Sequence, residues 1–307
     1  MSILVTGATG FIGSHLCRVL VQRGHQVVGL SLSGRTDNII PLLHHRGFHL
    51  ERGDIRDEDM MRSIIKNNRI KTVFHLAALL PNGSNLDNAL LYFDTNARGT
   101  LNLLNAAYLN AVDMFIYSST MSVYAEPPRY LPVDESHPVQ PSTTYSVAKL
   151  TGELCCHLYS KAMNIIILRY SGAYGRGERE SNAIPTFINQ ALNNRPITIH
   201  GDGNQTSDFV YIDDVVQGTV LAWEKNRPGV YNIGSGQETS IRELAKIIIN
   251  LTNSKSEVTL TGKSSERPFR FFLDITKAQK ILDYSPRPID EGLPKYLKEF
   301  SNVRCEK

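Results

Sequence analysis

The chain has 307 residues, 41% of them hydrophobic and 21% charged, which is enough for about two domains and typical of a folded globular protein. The 33 basic and 30 acidic residues nearly balance, which argues against a protein that binds nucleic acid or a membrane surface through charge. No apolar run approaches the roughly 20 residues that span a bilayer, and the N-terminus has no signal-peptide pattern, so we expect a cytoplasmic protein.

The first half of the chain alternates short apolar runs with helical patterns. Unbroken apolar runs of this length are typical of parallel strands that are buried on both faces. The clearest helical pattern, Phe11–Arg23, stops before Gly24. The predicted strands are Ile3–Thr6, Gln26–Leu32, Phe48–Glu51, Thr72–Leu76, Asp113–Ser118 and Asn164–Tyr170. Repeated strand–helix–strand units predict an α/β fold with a doubly wound parallel sheet and helices on both faces.

The rhythm changes after residue 170. Residues 171–181 are rich in Gly, Ser and charge and show little periodicity. Further predicted elements are the helices Ile184–Asn193, Ile241–Leu251, Ile275–Leu282 and Glu291–Phe300 and the strand Ile197–His200. The pattern predicts two domains, 1–170 and a smaller mixed α/β lobe over 171–307 that mainly binds substrate. Since no low-complexity linker separates them, we expect close packing with a ligand cleft between them.

The first predicted strand runs directly into a glycine-rich segment, TGATGFIG, that opens a helix. Gly7, Gly10 and Gly13 allow a tight turn, a close approach of the backbone to a pyrophosphate, and close packing of the helix on the strand. The helix start, with Phe11 and Ile12, points its free N–H groups and positive dipole end at that anion. The segment therefore predicts a Rossmann-like domain that binds a dinucleotide.

The end of the second predicted strand leaves NAD and NADP both open. A carboxylate would bond the adenosine ribose there, but the segment Ser31–Arg35 contains none. Ser31 can bond a ribose hydroxyl or a phosphate and Arg35 can neutralise a 2′-phosphate, which favours NADP. If Arg35 is only a solvated loop residue, the cofactor is NAD. Further predicted cofactor contacts are Asp54 and Ile55 after the third strand and Leu76, Ala77 and Ala78 at the end of the fourth.

The pentapeptide YSVAK, Tyr145–Lys149, carries a candidate base. On a helix, residues four apart face the same side. A free phenol has a pKa of about 10 and is a poor base, but a neighbouring ammonium favours the phenolate. Thr120 ends the fifth predicted strand, at the edge where ligands bind, and can hydrogen-bond the substrate oxygen that Tyr145 deprotonates. Ser118 and Ser119 are alternatives for Thr120.

The ordered motifs TGATGFIG, HLAA, YSVAK, LRYSGAYG, GDGNQTSDFVYIDDV and VYNIGSG resemble the extended short-chain dehydrogenase/reductase family of nucleotide-sugar epimerases and dehydratases. The resemblance spans residues 1 to about 282. It implies a nucleotide-sugar 4-epimerase of the UDP-glucose/UDP-galactose type, with Thr120, Tyr145 and Lys149 as catalytic residues and transient hydride transfer to a bound nicotinamide cofactor.

The resemblance also implies further positions and a quaternary structure. Asn96 and Ser118 fall on the cofactor side, and Arg267 resembles an arginine that pairs with the substrate pyrophosphate. Helices Leu86–Leu109 and Tyr145–Tyr159 resemble those that form a homodimer interface in relatives, although burial against the chain's own sheet competes for part of that surface.

Three departures from the family pattern bear on the reaction. Met121 and Ser122 follow Thr120 where the 4,6-dehydratases carry Asp-Glu, so the usual dehydratase carboxylates are missing. Gly172 replaces an asparagine and Ser207 an arginine at substrate-binding positions. Losing one charge-assisted contact with phosphate costs about 1.5–3 kcal/mol unless another base replaces it. Arg176, Arg179 and Arg270 are candidates for that replacement.

Two other functions compete with the epimerase. One is an NADP(H)-dependent reductase or dehydrogenase of a keto-sugar nucleotide, which Ser31 and Arg35 favour. The other is a non-catalytic dinucleotide sensor, which has no need for an intact Thr120, Tyr145 and Lys149. We expect no metal site, because His44 and His45 point apart on a helix without a third ligand nearby. The cysteines Cys17, Cys155, Cys156 and Cys305 show neither disulfide nor metal spacing.

Overall fold

The computed structural model describes residues 2–80, 88–262 and 269–305, with side chains as far as residue 300. In chain order the strands are β1 Ser2–Thr6, β2 Gln26–Ser31, β3 Phe48–Arg52, β4 Ile70–His75, β5 Met114–Thr120, β6 Asn164–Tyr170, β7 Gly172–Tyr174, β8 Ile197–His200, β9 Thr206–Ser207, β10 Phe209–Tyr211, β11 Gly229–Ile233, β12 Thr239–Ser240 and β13 Val258–Thr261. Two short 3₁₀ helices, Asp37–Leu42 and Met121–Val123, follow β2 and β5.

The helices are α1 Phe11–Gln22, α2 Glu58–Asn67, α3 Ala89–Phe93, α4 Gly99–Leu109, α5 Thr144–Tyr159, α6 Ala183–Leu192, α7 Ile212–Lys225, α8 Ile241–Leu251, α9 Thr276–Leu282 and α10 Ile289–Cys305. A π-helical segment, Asp94–Arg98, joins α3 to α4. The predicted helix Leu86–Leu109 is therefore interrupted by a π-helical turn, and residues 86 and 87 lie outside the described part. Within that part, no helix is both long and apolar enough to cross a membrane.

A parallel sheet of seven strands, in the order β11-β6-β5-β4-β1-β2-β3, forms the centre of the molecule. The side chains of each strand alternate between two apolar clusters, one on each face. On one face Ile3 and Val5 pack with α1 and α7, and on the other Leu4 packs with α2, α4 and α5. The predicted α/β class with a doubly wound parallel sheet is confirmed.

The strand order also locates a crevice. The chain starts in the middle of the sheet at β1 and runs outward to β2 and β3, and it then returns to β4 on the other side of β1. In such sheets, ligands bind beyond the carboxyl ends of the strands at the point where the order reverses. Here that point lies between β1 and β4, and the next ends along the edge are those of β5 and β6.

The longest element of the second half that the sequence did not predict is α7, and β11 and the short strands β7, β9, β10, β12 and β13 were not predicted either. Strand β11 pairs with β6, so this part of the chain completes the central sheet although it follows residue 170. The short strand pairs β7–β10, β9–β12 and β8–β13 and the remaining helices form the smaller lobe. The assignment of substrate binding to residues 171–307 stays a prediction.

Candidate active site

The glycine-rich loop lies in the crevice. Its glycines pack so closely against neighbouring backbone that side chains would not fit there. Gly7 has a φ of +72°, and a Cβ there would lie 2.8 Å from the backbone N of Ala77, directly after β4. At Gly13 a Cβ would lie 2.1 Å from the carbonyl oxygen of Gly7. Since both neighbours are backbone atoms, no side-chain movement relieves these contacts.

The start of α1 offers a row of unused donors. Its N-cap is Gly10, which has no side chain to cap the helix, and its first intrahelical bond runs from the Ser14 N–H to the Gly10 carbonyl at 3.0 Å. The N–H groups of Phe11, Ile12 and Gly13 therefore have no acceptor within the helix. Such a set of donors at a positive dipole end fits the pyrophosphate of a dinucleotide.

Replacing Gly13 with alanine is expected to damage this cradle. The added methyl group overpacks the turn, which typically costs about 1–3 kcal/mol of unfolding free energy, and it displaces the N–H donors, so dinucleotide affinity falls. Gly34→Ala is the control, because a Cβ at Gly34 meets no heavy atom within 4 Å. Denaturant unfolding and cofactor titration of both variants test the expectation, and equal effects at the two glycines would contradict it.

The carboxyl end of β2 carries a chain of hydroxyl groups. Thr9 Oγ1 lies 2.6 Å from Ser31 Oγ, which lies 3.4 Å from Ser33 Oγ. Arg35 is exposed in the loop that follows. Ser31 and Arg35 are the residues predicted at the adenosine ribose, and Ser31 meets the glycine-rich loop through Thr9, while Arg35 follows four residues later.

The predicted adenine contact, Asp54, is held by an ion pair. Its carboxylate accepts hydrogen bonds from the Arg56 side chain, the shortest at 2.6 Å, and this guanidinium lowers the pKa of Asp54. Ile55 is buried, and its side chain packs directly against Gly99, so that a Cβ at Gly99 would collide with it. The loop after β3 is therefore fixed, with an ionised carboxylate at its start.

Hydrogen bonds of a buried asparagine hold the loop after β4 in place. Asn96, in the π-helical segment, accepts from the Leu79 N–H at 2.7 Å and donates to the Leu79 carbonyl at 2.9 Å. Asn96 is 1% exposed, so its amide positions this loop rather than facing solvent. Leu76, Ala77 and Ala78 are half-buried along the crevice. The cofactor contacts assigned to these four residues stay predictions.

The end of β5 separates its three hydroxyl residues. Ser119 donates to the buried Glu153 carboxylate, so it is committed to the interior and is no substitute for Thr120. Ser118 and Thr120 point to the other face and are half-buried. Thr120 Oγ1 accepts from the Ser122 N–H at 3.2 Å and donates to Ser122 Oγ at 3.4 Å, a long hydrogen bond that a substrate oxygen can replace.

Tyr145 and Lys149 lie on α5, which packs on β5 and on the 3₁₀ helix after Thr120. A capping box at Thr143 and Ser146 fixes the start of this helix beside Tyr145. The Lys149 Nζ stacks 4.2 Å from the ring centroid of Tyr117, and the Tyr117 hydroxyl donates to the Lys149 carbonyl at 3.2 Å. As predicted, Tyr145 and Lys149 thus lie on one helix, and this helix packs against the strand that ends at Thr120.

Burial disfavours the charged forms of both catalytic side chains. Desolvation raises the pKa of Tyr145 to about 12. It also lowers the pKa of Lys149 to about 7, against an opposing effect of Cys156 and Glu153. A phenol with so high a pKa is almost wholly protonated at neutral pH, and a further positive charge near Tyr145 would raise the population of its phenolate. The positively charged nicotinamide of an oxidised cofactor would supply that charge.

The two departures from the family pattern lie side by side. A Cβ at Gly172 would lie 3.7 Å from Ser207 Oγ and only 2.9 Å from the Asp208 carbonyl oxygen. No larger residue fits at Gly172 without a shift of the backbone. Next to Ser207, Thr206 donates to Glu238, which also holds Arg270 through two hydrogen bonds of 2.7 and 2.6 Å. Arg267, the predicted pyrophosphate partner, lies outside the described residues.

Sequence analysis missed Asp208, which organises this side of the site. Its buried carboxylate accepts from the Ser171 hydroxyl at 3.1 Å after β6, from the N–H groups of Ser235 and Gly236 at 2.7 and 3.1 Å after β11, and from the Leu273 N–H at 3.2 Å before α9. Burial raises the pKa of Asp208 although the hydrogen bonds oppose that shift. Because its partners come from three loops far apart in the sequence, no local pattern indicated this role.

A cavity of about 1080 Å³ opens beside the glycine-rich loop, between the two lobes. Gly10 and Arg35 line it from the first lobe, and Arg176 lines it from the second. His15 Nε2 lies 2.8 Å from the Arg176 carbonyl oxygen and links α1 to that loop. In the described part of the chain, no group of three or more His, Cys, Asp and Glu side chains is placed to hold a metal ion.

Comparisons with known proteins agree with this geometry. The model of the NAD dependent epimerase/dehydratase family matches residues 3–234. A putative UDP-glucose 4-epimerase of Methanocaldococcus jannaschii is 35% identical over 311 residues, which cover 98% of each chain. The structure of a Thermotoga maritima UDP-glucose 4-epimerase with UDP-glucose superposes with a TM-score of 0.89 at 31% identity, covering 99% of both chains. That of a Bacillus cereus UDP-glucuronic acid 4-epimerase with UDP-glucuronic acid and NAD gives 0.85 at 36% identity, covering 98% of this chain and 100% of the other.

Relatives named for other reactions match as well. A dTDP-D-glucose 4,6-dehydratase of Mus musculus is 34% identical, over 98% of this chain and 90% of the other. A UDP-glucuronic acid decarboxylase of Arabidopsis thaliana is 28% identical, over 98% of this chain and 70% of the other. The likeness thus covers the whole fold and several reactions on nucleotide sugars. The chain belongs to the NAD dependent epimerase/dehydratase family, the extended short-chain dehydrogenases/reductases.

Proposed function

We propose that this chain is a nucleotide-sugar 4-epimerase of the UDP-glucose/UDP-galactose type. The observation that carries the proposal is the position of Tyr145 and Lys149 on a helix that packs against β5, the strand that ends at the half-buried Thr120 hydroxyl. The epimerases among the matched proteins support the same reaction. No net oxidation occurs in such a reaction, so the cofactor, NAD or NADP, is expected to stay bound.

Each of the three side chains has a distinct task. A bound nicotinamide supplies the acceptor and donor of a hydride at C4 of the sugar. Tyr145 removes the proton of the C4 hydroxyl as general base and returns it at the end of the reaction. Thr120 hydrogen-bonds the same oxygen and orients it. Lys149, in its charged form, stabilises the phenolate of Tyr145.

The residues after Thr120 argue against a dehydratase reaction, the elimination of water from the sugar. Elimination of water from a sugar needs a proton acceptor and a proton donor beside the ring. Thr120 is followed by Met121 and Ser122, which bring no carboxyl group to this position. Transient oxidation at C4 needs only the general base, and this chain keeps Tyr145 for that role.

The small residues Gly172 and Ser207 shape the expected substrate contacts. Relatives place an amide and a guanidinium at these two positions, so the sugar nucleotide is expected to lose two contacts. Arg270, which shares Glu238 with Thr206, is the base that we propose for the pyrophosphate, with Arg267 as its neighbour in the sequence. Arg270 would exchange the Glu238 carboxylate for phosphate when substrate binds.

An alternative is an NADP(H)-dependent reductase of a keto-sugar nucleotide. The absence of an acid at the end of β2 favours it, because an enzyme with net redox chemistry often uses exchangeable NADP(H). The two functions use the same Tyr145, so they differ in cofactor consumption rather than in the site.

Incubation with UDP-galactose, in the presence of NAD and separately of NADP, tests the proposal. The anomeric proton signals follow the sugar, and the absorbance of the reduced nicotinamide follows the cofactor. We expect conversion to UDP-glucose without accumulation of reduced cofactor. Accumulated reduced cofactor would favour the reductase, and no turnover with either cofactor would reject the UDP-hexose as substrate and turn the search to UDP-glucuronic acid and other nucleotide sugars.

We also propose that the chain forms a homodimer through α4 and α5. Leu154 and Leu158 are 62% and 75% exposed on α5, and Tyr108 and Leu109 are exposed on the neighbouring α4. The Tyr108 and Tyr159 rings meet edge to face and join the two helices. Several large apolar side chains exposed on neighbouring helices are typical of an interface.

Introducing charge into this surface is expected to separate the subunits. The double variant Leu154→Lys, Leu158→Lys places two ammonium groups in an apolar contact, so light scattering is expected to give the mass of one chain rather than two. Ile281→Lys, at a 40% exposed residue of α9, is the control. A wild-type monomer, or a double variant that remains dimeric, would rule out this interface.

A further inference from the structure

The end of β2 lacks the group that normally selects NAD. An acid there hydrogen-bonds the adenosine ribose and repels a 2′-phosphate. Here the last residue of β2 is Ser31, whose hydroxyl is buried and joined to Thr9 Oγ1 at 2.6 Å and to the Ser33 carbonyl at 3.2 Å. The connection from β2 to β3 contains a single acid, Asp37, six residues after the strand ends. The three residues between Ser31 and Arg35, which are Leu, Ser and Gly, are therefore all neutral.

A cation without a partner follows these hydroxyl groups. Arg35 is exposed, and no hydrogen bond or ion pair joins its guanidinium to any residue that the structure describes. By contrast Arg56, at the corresponding place after β3, is bound to Asp54 and Asp94. A guanidinium left free at a strand end in the crevice is available to a ligand anion.

The space for such an anion is also present. Thr9, Gly10, Ser33 and Arg35 line one wall of the cavity of about 1080 Å³, so it extends from the pyrophosphate cradle past the end of β2. Arg18 and Arg176 line it further along and add positive charge. Its carboxylates are Asp37 on the near wall and Glu178, Glu180 and Glu299 on the far one. Burial raises the pKa of Glu178 to about 7, so that group carries less negative charge than an exposed glutamate.

We propose that this chain selects NADP over NAD by binding the 2′-phosphate between the Arg35 guanidinium and the hydroxyl groups of Ser31 and Ser33. The inference deepens the proposed function, since it assumes that the crevice holds a nicotinamide dinucleotide. It departs from the Bacillus cereus neighbour, which was solved with NAD. Asp37 lies beyond Arg35 in the loop, and we expect the guanidinium to stand between it and the phosphate.

The test is a binding measurement that does not depend on turnover. The cofactor that co-purifies is released with acid and identified by mass, and the emptied protein is titrated with NADPH and NADH by fluorescence. We expect NADP as the released cofactor and at least about tenfold tighter binding of NADPH, as for one charge-assisted contact. Arg35→Ala is expected to weaken NADPH by about tenfold and NADH by less than about twofold.

Two further variants sharpen the result. Arg46→Ala removes an exposed arginine before β3, at the opposite edge of the sheet, and is expected to change neither affinity. Ser31→Asp is expected to invert the preference towards NADH. Equal or tighter binding of NADH by the wild type, release of NAD alone, or an equal loss of both affinities in Arg35→Ala would overturn the inference. A protein that prefers NADPH but epimerises no nucleotide sugar would defeat the proposed function and leave the inference standing.

Discussion

The Tyr145→Phe variant is expected to lose between about 10²- and 10⁴-fold in kcat, the usual contribution of a general base. Phenylalanine fills the same space on α5, so the fold and the crevice are kept while the proton acceptor is removed. In the proposed reaction Tyr145 acts on the C4 hydroxyl and not on the nucleotide, so the affinity for the nucleotide sugar should change little. Initial rates of sugar interconversion, with KM and kcat determined separately, measure the effect.

Tyr159→Phe is the matched control, since Tyr159 ends the same helix and its ring meets Tyr108 rather than the crevice. Fourteen residues of helix place it about 21 Å from Tyr145. We expect its kcat to stay at the wild-type value. Full activity of Tyr145→Phe would show that another group removes the proton, and full biological function of an inactive variant would bring back the dinucleotide sensor.

The Glu153→Gln variant is expected to lower the free energy of unfolding by about 3–5 kcal/mol, as for other broken buried ion pairs. Glu153 accepts from Arg169 Nε at 3.0 Å and Nη2 at 2.6 Å, and both side chains are less than one-tenth exposed. Glutamine keeps the shape but leaves the guanidinium without a counter-charge. The same carboxylate accepts from Ser119, next to Thr120, so we also expect lower activity in the folded variant.

A surface pair provides the comparison. Arg23 and Glu224 form an ion pair whose side chains are both 44% exposed, so Glu224→Gln should cost no more than about 1 kcal/mol. Urea unfolding of both variants at the same cofactor concentration measures the difference. Similar losses in the two would show that the buried pair stabilises the fold no more than a solvated one does.

Local patterns predicted the features that depend on local chemistry. The glycine-rich loop was predicted because a strand, three glycines and a helix adjoin in the sequence, and the structure has φ +72° at Gly7 and backbone contacts at Gly13. Strand β6 was predicted with its observed limits, Asn164–Tyr170. Tyr145 and Lys149 were assigned to one helix by their spacing, and α5 contains both.

The features that were missed depend on contacts between distant parts of the chain. Strand β11 is five residues long, and its pairing with β6 has no trace in its own sequence. In the sequence Asp208 is one acid among several, and its role depends on hydrogen-bond donors from three loops. The pair of Glu153 with Arg169 joins a helix face to a strand, and spacing along the chain does not reveal it. The π-helical segment Asp94–Arg98 contains Asn96, whose hydrogen bonds with Leu79 likewise join residues 17 positions apart.

The pairing of β11 with β6 determines how this molecule can be made and divided. On the ribosome the central sheet stays incomplete until residue 233 has been synthesised, because its last strand follows four strands of the smaller lobe, β7 to β10. A fragment ending at residue 170 would expose β6, with its apolar Ile165–Leu168, as an unprotected edge open to aggregation. We therefore expect the two lobes to unfold as one cooperative unit, because a cut between them separates two paired strands of the central sheet.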